Sequence, residues 1–209
     1  MRTARSIALL GLVIAILLSL PKASVAATQR SKSVGSSPKL LLVEPKTNPD
    51  LFVWKDTCNV YVVRDIYRVC IAQQESPQPL RHVVHVGDEL PMWGGASAKV
   101  LLRNATPGLL TRVARSSPYG EQHVRRLQEW IDEATHQGFA VSHGEREEGL
   151  SAVAVPVLGR SGTVVAALTL SGPTMRFTDE RIDTFVKDLT EVAGRMAERG
   201  FDHPLGASF

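Results

Sequence analysis

The sequence predicts an α+β domain in which β-hairpins are combined with amphipathic helices. Two pairs of apolar, β-branched segments are each separated by a short turn, near residues 64–67 and 159–162, and such pairs are typical of hairpins. Apolar residues recur at helical spacing over residues 121–136 and again after residue 178. With 44% apolar and 22% charged residues, the chain has the composition of a globular protein.

The first hairpin joins predicted strands at Cys58–Val63 and Tyr67–Ile71. A two-residue loop between them pairs Arg64 with Tyr67, and this register places Tyr61 opposite Cys70. Cys58 and Cys70 then do not face each other. Because a disulfide needs Cβ atoms about 4 Å apart, we expect two free, buried thiols.

A turn that leads into a helix is predicted at Leu90–Leu102. Gly94 and Gly95 allow a close backbone approach, and small residues open the helix. Free N–H groups on a first helical turn favour an anion such as a carboxylate. Small residues at this place are equally typical of close packing between a helix and a sheet, so the pattern leaves both interpretations open.

The remaining elements are predicted from the same periodicity, turn and capping signals. Both strands of the second hairpin are almost wholly apolar, so we expect both of their faces to be covered. The predicted elements are a third strand at Leu80–Val86, helices at Thr106–Ala114 and Glu121–His136, a loop at Gly138–Ala152, strands at Val153–Leu158 and Thr163–Ser171, and a last helix with Thr178 as N-cap and Gly200 at its end.

The net charge of +3 is confined to the N-terminal segment. Residues 1–26 contain three basic residues and no acidic ones, whereas residues 51–209 carry 17 basic and 19 acidic residues. A duplex-binding domain usually gains affinity from a surplus of Lys and Arg that neutralise phosphates. We therefore expect no direct DNA contact from this chain.

Residues 1–26 have the three-part organisation of a secretory signal peptide. A basic start is followed by an uncharged apolar run at residues 7–20, and Ser24-Val25-Ala26 supplies small residues before a cleavage at Ala27. The alternatives are an uncleaved membrane anchor through residues 7–20, or a wrongly assigned start. Residues 27–50, rich in Ser, Lys, Thr and Pro, are predicted to be a linker, which leaves residues 51–209 as one domain.

Two segments resemble a known family. GFAVSHGEREEGLSAVAVPVLGRSGTVVAALTLSGPTMRFTDERI (Gly138–Ile182) and LPMWGGASAKVLL (Leu90–Leu102) are similar to the effector-binding domain of the IclR family of bacterial transcriptional regulators. The resemblance covers about residues 51–200, and the motifs GLSAVAVPV and LSGPTMRF make it specific. It implies a GAF-like fold, with a curved, mainly antiparallel sheet flanked by helices, and a pocket for a small metabolite.

The resemblance also implies a ligand site and partners. Backbone N–H groups at the helix opening would meet a carboxylate, and three hydroxyl groups could donate or accept hydrogen bonds. The implied ligand is a small organic acid or an aromatic carboxylate, and the implied assembly is a homo-oligomer, a dimer or a tetramer. The implied contacts are Ala96, Ser97, Ser142, Ala152, Thr169 and Ser171.

Some residues near this site do not determine which ligand is bound. Certain family members have an Asp at the position of Ser142 and a Cys at the position of Ala152. Trp93 either forms a wall against an aromatic ligand or belongs to the core. The ligand of any particular relative is therefore not transferred to this chain.

Family members also carry an N-terminal winged helix-turn-helix, which residues 27–50 are too few to form. We therefore expect a regulator whose true start lies upstream, or a stand-alone sensor domain. The resemblance implies a cytoplasmic protein, whereas a genuine leader would imply a secreted or membrane-anchored one.

Other patterns indicate neither catalysis nor a metal. His82 and His85 are three residues apart on a predicted strand and would point to opposite faces. His143 and the glutamates that follow it are typical of a solvated loop. Ser97 and Lys99 lack the Ser-x-x-Lys spacing of serine acylases, and no nucleophile elbow, phosphate loop or dinucleotide fingerprint is present. We expect no enzymatic activity, no cofactor and no metal.

Overall fold

The computed structural model describes residues 55–200. The leader, the linker and residues 51–54 and 201–209 lie outside the described residues, so the predictions made for them stay predictions. The strands are β1 (Thr57–Arg64), β2 (Tyr67–Gln74), β3 (Glu89–Pro91), β4 (Ala140–His143), β5 (Leu150–Leu158) and β6 (Val164–Pro173); the helices are α1 (Ala96–Leu101), α2 (Pro107–Arg115), α3 (His123–Gln137) and α4 (Asp179–Arg199), and 3-10 turns lie at Leu102–Asn104 and Thr174–Arg176.

The six strands form one curled antiparallel sheet in the order β3-β2-β1-β6-β5-β4. Helices α1 to α3 share a core with the inner face of the sheet, where Tyr61, Cys70 and Ala154 are buried. Helix α4 packs against β5 through a buried stripe that includes Phe185 and Leu189. This arrangement confirms the predicted α+β class and the covered second hairpin.

The register of the first hairpin is the predicted one. Arg64 pairs with Tyr67 and Tyr61 pairs with Cys70, whereas Cys58 lies opposite Gln74. Both cysteines are free and buried, as predicted. Burial, with a smaller contribution from the neighbouring thiol, raises the pKa of Cys58 to about 12, so this thiol stays protonated near pH 7.

The predicted third strand at Leu80–Val86 is wrong. The strand that follows β2 is β3, which pairs Glu89 with Val69. The backbone of residues 87 and 88 hydrogen-bonds to Cys70, so the chain reaches the sheet only after the turn at Gly87, whose φ is 98°. Val83 and Val86 are exposed. Their β-branched side chains favour extended backbone, but propensity does not supply a neighbouring strand.

The predicted loop at Gly138–Ala152 is also too long. Its first part forms the short edge strand β4, which pairs with β5, and only residues 144–149 form the loop. A strand of four residues is too short for an alternation of apolar and polar residues to be recognised in the sequence. The flanking helix ends as predicted at Gly138, whose φ of 80° is the left-handed conformation that favours glycine there.

Candidate functional site

The register of the sheet brings three of the six implied contact residues into one row. Ser142 of β4 lies opposite Ala152 of β5, which lies opposite Ser171 of β6. Because paired residues share a face and strand side chains alternate, Thr169 lies on the same face two residues from Ser171. Asn59 of β1 pairs with Thr169 and extends this polar strip.

All six implied contact residues line one cavity between this strip and the start of α1. Its free volume is about 40 Å³, which is room for only a few water molecules. Several charged side chains project into the remaining space. The lining residues are Tyr61, Arg68, His82, Leu90, Gly95, Ala96, Ser97, Ser142, Glu145, Arg146, Glu147, Leu150, Ala152, Thr169 and Ser171.

The start of α1 already contacts a carboxylate of the protein itself. Gly95 has a φ of 97°, and its N–H donates to Glu145 Oε2 at 2.8 Å. Glu145 Oε1 accepts from Lys99 Nζ at 2.5 Å, and Lys99 also donates to the carbonyl of Val141 at 2.8 Å. The small residues Ala96 and Ala98 are buried against the sheet. Close packing and affinity for a carboxylate therefore occur together at this turn.

The hydroxyl groups of the polar strip differ in their partners. Ser171 Oγ lies 2.9 Å from His82 Nδ1 and also donates to the carbonyl of Thr57 at 3.5 Å. Thr169 Oγ1, in contrast, is buried and has no hydrogen-bond partner. An unpaired buried hydroxyl destabilises a protein, and the Thr169 hydroxyl has unused hydrogen-bonding capacity.

Arg68 is a buried cation at the inner end of the cavity. It lies on the same face of the sheet as Cys70, and its side chain is 4% exposed. Its Nη1 donates to the carbonyls of Pro91 and Gly94, the latter at 3.1 Å. Its Nε is buried without an acceptor. Among residues 55–200, no carboxylate forms an ion pair with this guanidinium.

Burial is the main influence on the Arg68 guanidinium, and charges of both signs surround it. Burial and then the charge of Arg146 lower its pKa to about 10, so it remains charged near pH 7. Arg146 donates to Glu147 through Nη2, while its Nη1 is buried and has no partner. The cavity therefore contains three buried polar groups with unused hydrogen-bonding capacity, on Arg68, Arg146 and Thr169.

Burial also keeps two further lining groups neutral. Desolvation lowers the pKa of His82, with smaller opposing effects from the charges around it. Burial raises the pKa of Tyr61 despite the nearby Arg68 charge, and the Arg68 guanidinium lies 5.7 Å from the Tyr61 ring centroid. Near pH 7 both residues are uncharged, and the charge of the cavity is set by its arginines and glutamates.

Sequence reasoning missed Arg68, Arg146, His82 and Tyr61. A signal for Arg68 was available. The sequence predicts that Cys70 is buried. Because side chains two residues apart on a strand share a face, Arg68 is expected to point inward as well. Arg146 and His82 lie in irregular segments, for which periodicity gives no direction.

Trp93 does not line this cavity. It lies in an aromatic cluster that surrounds a second cavity, with a volume of about 300 Å³, lined by Trp93, Tyr119, His123, Arg126, Trp130 and Glu145. The His123 ring lies 5.5 Å from the Trp130 ring, centroid to centroid, and Lys99 Nζ lies 4.4 Å from the Trp130 ring centroid. Glu145 lines both cavities.

The other candidate groups do not come together. His82 contacts Ser171, whereas His85 lies beside Asp88, and His143 Nδ1 contacts Ser151 Oγ at 2.8 Å. Across residues 55–200 no cluster of three His, Cys, Asp or Glu residues is arranged to hold a metal ion. Within the same range, no helix has the length and apolar character needed to span a bilayer.

Comparison with known proteins identifies the family. Residues 53–197 match the family described as bacterial transcriptional regulator IclR C-terminal. The chain is 32% identical over 159 residues to the HTH-type transcriptional regulator KdgR of Escherichia coli, an alignment that covers 72% of this chain and 60% of KdgR. The chain belongs to the IclR family, as the C-terminal domain of such regulators.

Solved structures agree with this assignment. An IclR-family transcriptional regulator from Rhodococcus sp. superposes with a TM-score of 0.67 at 38% identity, over 70% of this chain and 57% of that protein. The C-terminal domain of E. coli KdgR superposes with a TM-score of 0.58 at 28% identity, over 69% of this chain and 87% of that domain. The match to full-length KdgR covers 60% of its length.

Proposed function

We propose that the domain senses a small carboxylate metabolite and acts in transcriptional regulation, without making DNA contacts of its own. The observation that carries this proposal is the cavity on which Ala96, Ser97, Ser142, Ala152, Thr169 and Ser171 converge. Its helix start attracts a carboxylate, since the side chain of Glu145 binds there. The relatives that are similar to this chain are named as transcriptional regulators.

The sensing mechanism that fits this cavity is a population shift. Three residues of the loop at 144–149 line it, namely Glu145, Arg146 and Glu147. Gly144 and Gly149 have positive φ angles of 62° and 77°, a conformation that other residues rarely adopt. A ligand larger than a few waters has to displace loop side chains that lie in the cavity, so it preferentially binds the arrangement in which they have moved and shifts the equilibrium toward it. In a homo-oligomer, that shift would alter how the subunits are arranged.

A thermal-shift screen of the full chain tests the proposal. Carboxylate metabolites and uncharged compounds of similar size are added at millimolar concentration. A ligand present at about 100 times its Kd stabilises the folded state by about 2.7 kcal/mol, which is a measurable shift in Tm. If no compound in either group stabilises the protein, the proposed function is wrong.

Two variants place any ligand in the cavity. Thr169→Val removes a hydroxyl that has no partner, so it should weaken binding while leaving the unliganded protein as stable or slightly more stable. Ser171→Ala should also weaken binding, but it breaks contacts to His82 and Thr57 as well. The exposed variant Ser161→Ala, on the turn between β5 and β6, serves as the control. Unchanged affinity in both cavity variants would place the ligand elsewhere.

A second candidate function rests on the signal-peptide-like residues 1–26. We propose as the alternative an exported or membrane-tethered ligand-binding module that uses the same fold with no role in transcription. N-terminal sequencing of the protein recovered from its native cells separates the two. Ala27 as the first residue supports export, and an intact Met1 in the cytosolic fraction contradicts it.

A further inference from the structure

The inner end of the cavity has more positive charge than its own carboxylates neutralise. Three cations, Arg68, Arg146 and Lys99, lie in or beside it, together with two carboxylates, those of Glu145 and Glu147. Glu145 binds Lys99, and Glu147 binds Arg146. Arg68 is left with carbonyl oxygens as its only acceptors among the described residues.

A buried charge without a counter-ion is costly, because desolvation removes its water and nothing charged replaces it. Folded proteins rarely keep such a group unless a partner completes it. Arg68, Arg146 and Thr169 all line this cavity, and Arg68 Nε, Arg146 Nη1 and Thr169 Oγ1 are buried without a hydrogen-bond partner. A guanidinium offers several N–H donors in a plane, which matches the two oxygens of a carboxylate.

We propose that Arg68 is the principal counter-charge for the ligand's carboxylate, and that the ligand carries a single negative charge. This inference rests on the proposed function and specifies the chemistry of its site. The free Nε of Arg68 donates to the carboxylate, Arg146 contributes a second cation, and Thr169 supplies a hydroxyl. Glu145 keeps its contacts with the Gly95 N–H and with Lys99.

The charge count decides between monoanions and dianions. With Glu145 and Glu147 paired, one positive charge remains, and one carboxylate neutralises it. A dicarboxylate would leave one negative charge unpaired in a buried cavity or would have to displace Glu145 from Gly95 and Lys99. We therefore expect monocarboxylates to bind more tightly than dicarboxylates of similar length.

Matched pairs of probes test this inference in the full chain by calorimetry. Acetate is compared with acetamide, benzoate with benzamide, and butyrate with succinate. A monocarboxylate should bind at least about tenfold more tightly than its amide, since a charge-assisted hydrogen bond contributes more than a neutral one. Arg68→Gln should remove most of that difference, and Arg146→Gln should reduce it.

Controls separate binding from folding. Arg125→Gln changes an exposed arginine on α3 and should bind every probe as the unmodified chain does. Arg68→Lys keeps the charge but loses the planar donors, so a preference for acid over amide should survive in weakened form. If Arg68 only ties β2 to Pro91 and Gly94, its variants will lower the unliganded Tm without changing the acid-to-amide preference.

The outcomes distinguish this inference from the proposed function. Amides that bind as well as their acids, dicarboxylates that bind best, or an unchanged preference in Arg68→Gln would overturn the role of Arg68. The cavity would still be a ligand site if Thr169→Val weakened those same compounds. Absence of any binding, by acids and by uncharged compounds alike, overturns both.

Discussion

His82 and Ser171 illustrate how single buried residues link the cavity to folding stability. His82 belongs to an irregular segment, yet its ring reaches β6 and contacts the hydroxyl of Ser171. Burial lowers its pKa from the ordinary value of 6.5. The folded protein therefore holds His82 neutral at a pH at which the unfolded chain already binds a proton there.

This difference predicts a pH dependence of stability. Below about pH 6.5 the unfolded state binds more protons at His82 than the folded state does. The contribution of His82 is therefore fully present above pH 6.5 and is lost as the pH falls toward its lowered pKa. In His82→Gln this part of the pH dependence should disappear. Urea denaturation of both proteins between about pH 5 and about pH 8 measures it.

His136→Gln is the matched control, because His136 lies exposed in the last turn of α3. Its replacement should leave the shape of the curve nearly unchanged. Parallel curves for His82→Gln and the unmodified chain would show that His82 titrates alike in both states, and the burial argument would then be wrong.

At the level of elements, Asp56 joins the beginning of the sheet to the last helix. Its carboxylate is fully buried; Oδ1 accepts from Arg176 Nε at 2.6 Å, and Oδ2 accepts from Arg181 Nη2 at 3.3 Å. Arg176 lies in the 3-10 turn after β6, and Arg181 lies in the first turn of α4. A Cβ atom at Gly172 would lie 2.5 Å from the Asp56 carboxylate, so only glycine leaves room for this contact.

Asp56→Asn should destabilise the domain substantially. The substitution leaves two arginines around a neutral amide, and breaking a buried ion pair on one side costs about 3 kcal/mol or more. Denaturant unfolding measures the change. Asp132→Asn, at an exposed position on α3, should change the free energy of unfolding by less than about 0.5 kcal/mol. Equal effects in both variants would show that Asp56 does not join these elements.

The elements also show where sequence reasoning succeeds and where it fails. A hairpin loop of two residues fixes every pair along its strands, which is why the pairing of Tyr61 with Cys70 was predictable. Residues 80–86 have the residue types of a strand but no neighbouring strand to pair with. Strand β4 pairs with β5, but its four residues are too few to give a recognisable strand pattern. The inward direction of Arg68, in contrast, follows from the predicted burial of Cys70, two residues away on the same strand. The sequence therefore predicts local geometry better than long-range pairing.

The six implied contact residues needed a different kind of information. Residues 96 and 142 are far apart along the chain, and neither periodicity nor turn chemistry brings them together. Matching motifs from a known family named them, and the sheet register then showed that they line one cavity. The lack of a hydrogen-bond partner at Thr169 Oγ1 and at Arg68 Nε became visible only once the side chains were placed.

For the whole molecule, the distribution of charge gives residues 51–209 no surplus of basic residues with which to bind DNA. Residues 51–209 carry two more acidic than basic residues, while residues 1–26 carry three basic residues and no acidic one. Affinity for duplex DNA depends on the release of counterions by Lys and Arg at phosphates, and it falls steeply with salt. The domain has no surplus of Lys and Arg with which to release counterions from DNA.

The full chain should therefore bind a labelled DNA duplex weakly at most, and only through its N-terminal segment. Fluorescence anisotropy at low and at moderate salt measures this. Any binding seen at low salt should vanish when the basic residues of segment 1–50 are replaced by Gln, because this removes the positive charge outside residues 51–209 and leaves that domain unchanged. These residues are Arg2, Arg5, Lys22, Arg30, Lys32, Lys39 and Lys46. Tight binding that survives those replacements would mean that the domain contacts DNA directly, through a surface that its net charge does not reveal.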